Sequence, residues 1–159
     1  MTKFKTIIMK TFFYCLFISL FFLKSNSLKA QQASNTFPST LSKGPADRFI
    51  GNVWVQYFVN DTTSDFLSSK VIFEPIARSN WHVHIGRQII FAIEGTGFYK
   101  EKGKAIRILK KGDVVIIEPG TIHSHGSSKT DSFTQAVMMN NVKRKDATTW
   151  LNPVKEEEL

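Results

Sequence analysis

All four histidines of this chain lie in two short stretches, "WHVHIGRQ" (Trp81 to Gln88) and "EPGTIHSHG" (Glu118 to Gly126). On a β-strand, His82 and His84 point to one face and Val83 to the other. Gln88 shares their parity if the strand stays regular through Gly86. Pro119-Gly120 makes a turn from which His123 opens a further strand, and His125 has the parity of His123. His82, His84 and His123 then offer three neutral nitrogens and Gln88 one amide oxygen. That donor set suits a divalent first-row ion that keeps open positions for water or substrate. A lone His-x-His pair is more often surface decoration or hydrogen-bonded core polarity; the second histidine cluster, after a glycine turn, favours metal. His125 reads either as an acid/base group beside the ion or as a hydrogen-bonded pocket histidine.

The surrounding segments must be strands for this parity to matter. From Phe49 onward the pattern is β. "NVWVQYFV", "SSKVIFEP", "WHVHIGRQIIFAIEG", "VVIIEPG" and "SFTQAVMMN" are rich in β-branched and aromatic residues, and Gly, Pro and Asp separate them. "GTGFYKEKGKAIRILKKGD" reads as hairpin strands around Gly103, closed by Gly112-Asp113, and "IARSN" as a turn. No segment of ten or more residues carries a helical period before the tail, Asp146 to Leu159. Many short strands at close spacing predict an antiparallel sandwich or small barrel forming one domain. By alternation Ser69, Val71, Phe73, Ile90, Gln135, Val137 and Met139 would line a pocket in its interior. The charges of Lys100 to Lys111 read as a solvated hairpin or as an anion-attracting rim. The acidic end "EEEL" reads as a soluble tail.

Residues 1–30 stand apart. A basic start, an apolar run of about a dozen residues ("TFFYCLFISLFFL") and a small residue at Ala30 have the layout of a secretory signal peptide. The run is short of the roughly 20 residues a membrane span needs, so no stable span is expected after cleavage; an uncleaved anchor is the alternative. Residues 31–47, rich in Ser, Thr, Gln and Pro, form an expected N-terminal arm. Five leader lysines account for much of the +8 formal charge, leaving +3 without them. No basic stripe remains for nucleic acid. The single cysteine, Cys15, lies in the apolar run, which leaves the mature chain without thiol or disulfide chemistry. "NDT" at Asn60 to Thr62 is a glycosylation-type tripeptide of low specificity.

The two histidine stretches resemble the paired motifs of the cupin superfamily. The first motif corresponds to His82, His84, Gln88 and Gly95, and the second to Gly112, Asp113, Pro119, Gly120 and His123. "FEPIARSNWHVH", "GDVVIIEPGTIHSHG" and "WLNPVKEEEL" are similar to small single-domain cupins associated with carboxymuconolactone decarboxylases, which include the cupin-type hydroxynitrile lyases. The resemblance spans about residues 45 to 159. It implies an all-β double-stranded β-helix, or jelly-roll barrel, over residues 48–159. It also implies one manganese or iron ion, with nickel and zinc as alternatives, and a homodimer. Gln88 stands where glutamate is common in the superfamily, and a neutral ligand leaves the ion's charge uncompensated. Such an ion would polarise a bound oxygen strongly and favour anions. In the hydroxynitrile-lyase relatives a histidine beyond the second motif serves acid/base chemistry. Gln135 stands there, and an amide does not exchange protons as imidazole does.

The expectation is therefore an exported metal-binding cupin, periplasmic or extracellular. It is read first as a metal-dependent, lyase-like enzyme for a small carbonyl, hydroxy or carboxylate compound. The metal ligands would be His82, His84, Gln88 and His123, with His125 and Gln135 as candidate catalytic residues. A non-catalytic cupin that captures a small ligand or metal, and a metal-free structural barrel, are the alternatives.

Overall fold

The computed structural model describes residues 40–61 and 65–159, within one compact unit, Thr36–Leu159. The expected leader and residues 31–39 of the arm lie outside the described residues, and the "NDT" tripeptide runs out of them at Thr62. Twelve strands follow one another: β1 (Ser42–Lys43), β2 (Phe49–Ile50), β3 (Val53–Asp61), β4 (Phe66–Phe73), β5 (Arg78–Ser79), β6 (His82–His84), β7 (Gln88–Glu101), β8 (Arg107–Lys110), β9 (Val114–Ile117), β10 (His123–Ser127), β11 (Phe133–Asn140) and β12 (Thr148–Trp150). The one helix among the described residues is a single 3-10 turn, Glu156–Glu158. All pairings are antiparallel, and they build the curled sheet of a jelly roll. "IARSN", read as a turn, contains β5, which joins β2 to β10.

β7 is the spine. Its first half pairs with β11 and β9 and continues through β4 and β3 to β1, whose Ser42 lies opposite Val55. Its second half pairs with β8 and β10. β10 also carries β5 and β6, and β6 carries β12. Between the halves the β7–β11 register slips at Thr134/Gln135, and Gly95 adopts φ +76°. A Cβ on Gly95 would stand 1.8 Å from the Ser132 carbonyl oxygen. Only glycine allows the chain to bend here against β11.

Inward residues alternate with outward ones along β9 and β11, as the strand period requires. Phe73, Ile90, Leu109 and Phe133 are fully buried, joined by Val53, Val71, Val115, Ile117 and Val137. Burying each such side chain contributes about 1.5–3 kcal/mol. This packing holds the two halves of β7 together and leaves the histidine end of the barrel open to a cavity. Phe73 and Ile90, expected to line the cavity, belong to this core instead.

Substituting glycines tests the bend. Gly95→Ala combines a backbone clash with positive φ and should lose more than about 3 kcal/mol of stability in urea unfolding. Gly103→Ala, in open space at φ +81°, should lose only about 1 kcal/mol. Equal losses would remove β7's kink as a determinant of the fold.

Candidate metal centre and its cavity

His82 and His84 project from β6, and His123 and His125 from β10. These two strands pair directly, with His123 opposite His82. The four imidazoles converge, with ring centroids separated by 4.2 Å (His82–His123), 5.0 Å (His82–His84), 5.3 Å (His84–His123), 5.3 Å (His82–His125) and 5.9 Å (His123–His125). Gln88 does not continue the His82–His84 strand. The chain turns at Ile85–Arg87, where Gly86 passes so close to β11 that a Cβ would lie 2.1 Å from the Asn140 carbonyl oxygen. Asn140 Oδ1 accepts from the Arg87 amide at 2.8 Å. Gln88 thus opens β7 and reaches the site from a second strand, its Oε1 2.9 Å from His123 Nε2.

Tautomers follow from what stands behind each ring. His82 Nδ1 donates to the Asn80 carbonyl at 2.9 Å, and His123 Nδ1 to the Thr121 carbonyl at 2.9 Å. His84 Nδ1 lies 2.9 Å from the Thr148 hydroxyl. Donating from Nδ1 to carbonyls, the His82 and His123 rings each turn an Nε2 lone pair into the site, whereas the Thr148 hydroxyl can accept from or donate to His84 Nδ1. His84 Nε2 is buried without a partner. His123 Nε2 faces Gln88 Oε1, two acceptors at hydrogen-bond distance, an arrangement a cation between them would relieve. His125 differs: its Nδ1 faces the Gln135 amide nitrogen at 3.1 Å, which leaves its proton on Nε2. Gln135 itself is fully buried, and its Oε1 has no partner.

Burial dominates the electrostatics. Desolvation pushes His84 and His123 down to about 4 from an ordinary 6.5, aided at His84 by the neighbouring His123 and resisted at His123 by its bond to Thr121. His82 and His125 are held well below 6.5, first by burial and then by the other imidazoles. All four are neutral near pH 7, the state a metal ligand requires. Two subsets compete as ligands. His82, His123 and His125 bring a ring nitrogen each within 4.8 Å of one another. His82, His84 and His123 have the closer centroids, although His84 does not join that group of ring nitrogens.

His82, His84, Gln88 and His125 line a cavity of about 510 Å³, while His123 is fully buried and does not reach it. Ser69, Val71, Val137 and Met139 line it as expected, with Phe49, Val55 and Leu67. The tail contributes residues that sequence reasoning missed. Trp150 stacks on His82 at 4.7 Å and 27° and meets Phe49 edge-on at 5.6 Å, while Thr148 anchors His84. β12 brings them in by pairing with β6, Thr148 opposite His84 and Trp150 opposite His82. Val154 is buried, its carbonyl accepting from Arg78, so the tail is an integral part of the barrel. Among the described residues no helix is long and apolar enough to cross a membrane.

Known proteins resemble this chain in sequence and fold. The family described as "Cupin domain" matches residues 69–138. An (R)-mandelonitrile lyase from Granulicella tundricola is 33% identical over 117 residues, covering 73% of this chain and 88% of that protein. The crystal structure of a cupin-like protein from Thermotoga maritima superposes with a TM-score of 0.70 at 43% identity, over 74% of this chain and 89% of that one. A cupin 2 conserved barrel domain protein from Rhodopseudomonas palustris shares the fold at 18% identity, TM-score 0.58, over 75% of this chain and 78% of that one.

Neutral buried imidazoles make the metal-free protein acid-labile. Their folded pKa values lie below the unfolded value of about 6.5, so the unfolded chain binds more protons between pH 6.5 and 4. Stability should therefore be full above pH 6.5 and fall as pH drops through about 4, by up to roughly 1.4 kcal/mol per pH unit for each imidazole. Thermal melts in chelator across this range check it. A flat profile would contradict the burial of the histidines.

Proposed function

This chain belongs to the cupin family, and from that premise we propose that it is a metal-dependent, lyase-like enzyme acting on a small carbonyl, hydroxy or carboxylate compound. One observation carries the reading: His82 and His123 donate from Nδ1 to carbonyls, which leaves their Nε2 lone pairs for an ion, and they stand with His84 and Gln88 at a cavity that His82, His84 and Gln88 line. These four residues would hold one divalent ion. The unpartnered His84 Nε2 favours His84 over His125 as the third imidazole. Manganese or iron is the proposed ion, because four neutral protein donors exceed the three usual at catalytic zinc. Bound there, such an ion supplies Lewis acidity toward a substrate oxygen.

The chain's own residues do the rest. The apolar walls exclude water from one side of the substrate, and Trp150 holds the His82 ring in place by stacking. His125 lines the cavity and keeps its proton on Nε2, where it can donate to or accept from a bound molecule. Gln135 fixes that tautomer as a positioning residue. Cyanohydrin cleavage, the activity named for the Granulicella relative, would rest on His125 here. The second reading, a non-catalytic protein that captures a small ligand or metal, is favoured by Gln135, whose amide exchanges no proton near neutrality. The proposal places the protein outside the cytoplasm after removal of residues 1–30, and as a homodimer. N-terminal sequencing of the exported chain and light scattering check these two points.

Metal analysis of untagged protein should find about one ion per chain, lost in His82→Ala and His123→Ala. Absence of stoichiometric ion from the wild type would end the assignment. Thr148→Val should weaken metal affinity by roughly 10–100-fold, as expected when the group orienting a ligand is removed. Turnover of mandelonitrile and small hydroxy or keto acids should vanish in the same histidine variants. Tight binding without turnover across such a panel would favour the non-catalytic reading.

A further inference from the structure

The cavity's charge is one-sided. Without the five leader lysines the chain has 16 basic and 13 acidic side chains, close to balance. Yet the cavity's 20 lining residues include Lys43, Arg48 and Lys145 and no carboxylate. Two of the cations are near neighbours in the chain, in β1 and in the loop before β2, and the third comes from the distant loop before β12. All three are exposed to solvent at the cavity's edge. Arg48 extends over the Trp150 ring at 5.7 Å, and that ring stacks on His82, linking the rim to the histidine floor. Asp47 approaches Arg48 only at 4.0 Å and is itself exposed. Glu74, which feels Lys43, is committed to the Trp54 and Asn52 side chains at 2.9 Å each. The floor adds no negative charge, since the imidazoles and Gln88 are neutral.

We propose that the cavity recognises a small organic carboxylate with an apolar body, and that Arg48, Lys43 and Lys145 select it by charge. The inference rests on reading the cavity as the substrate site. The hydrocarbon part would lie against Val55, Leu67, Val71, Val137 and Met139, and the anionic group would face the cationic rim. The volume, about 510 Å³, falls within the range of small-molecule sites. The charged hairpin Lys100 to Lys111 contributes no lining residue, in keeping with its reading as a solvated hairpin.

Calorimetric titration of the purified protein with benzoate, mandelate and isobutyrate, each against its neutral amide, tests the proposal. At low salt at least one carboxylate should bind about tenfold or more tightly than its amide. Arg48→Gln and Lys145→Gln should each reduce that preference by roughly three- to tenfold. Arg48→Lys should retain most of it. Amide affinity, melting temperature and metal content should stay unchanged in all these variants. An acid-to-amide ratio near one for every pair would overturn the proposal. So would a preference that survives intact in the Lys43→Gln/Arg48→Gln/Lys145→Gln triple variant, which would assign selection to the floor. Missing metal with a charge-dependent preference still present would sink the metal-enzyme reading and leave the cationic rim standing.

Discussion

Desolvation of four imidazoles against one another is the constraint on which this structure turns. Charged, they would repel at centroid separations of 4.2–5.9 Å in a medium of low dielectric. The barrel can close over them only while they are neutral, and burial is the main force that keeps them so. A neutral imidazole has one donor and one acceptor nitrogen, so fixing one fixes the other. The carbonyls of Asn80 and Thr121 therefore decide which lone pairs of His82 and His123 face the site.

Placing those rings falls to β6, β7 and β10. His123 lies opposite His82 across one ladder and Glu101 across the other, so a single residue of β10 joins both neighbours. Glu101 is held charged chiefly by its bond to Lys104, and it accepts from Tyr99 at 3.1 Å. Tyr99, buried beside His123, is pushed up by desolvation and then by Glu101, so it stays protonated and serves as a donor. Gln88 reaches the same point because β7 starts immediately after the Gly86 crossing. Gly86 and Gly95 thus hold the two ends of one half of the spine against β11, and the site occupies one of those ends.

The parts of this arrangement legible in the sequence are those encoded within a few residues. His82-x-His84 and the turn ahead of His123 show as local spacing, and β11's alternation of Phe133, Gln135, Val137 and Met139 is plain. Gln88 was anticipated for a reason that does not hold, since the strand is not regular through Gly86; a turn onto another strand delivers the amide to the same place. Thr148 and Trp150 left no local signal. Their roles arise from β12 pairing with β6, and Thr148 meets His84 across 64 residues of chain. The cationic rim is hidden for the same reason: Lys43, Arg48 and Lys145 are unremarkable in their own segments and meaningful only once the sheets converge.

His125 shows how little separates a ligand from a proton carrier in such a site. It shares β10, burial and parity with His123, and both rings lie within reach of His82. The distinction lies behind the ring. His123 Nδ1 meets a carbonyl, which can only accept, whereas His125 Nδ1 meets the Gln135 amide nitrogen, which donates. One arrangement presents a lone pair to the interior and the other presents N–H. A histidine at position 135 could take up a proton and pass it to its neighbour; an amide cannot. The amide at 135 therefore sets His125 apart from its neighbours: His82 and His123 carry their proton on Nδ1, bonded to a carbonyl, and His125 carries it on Nε2.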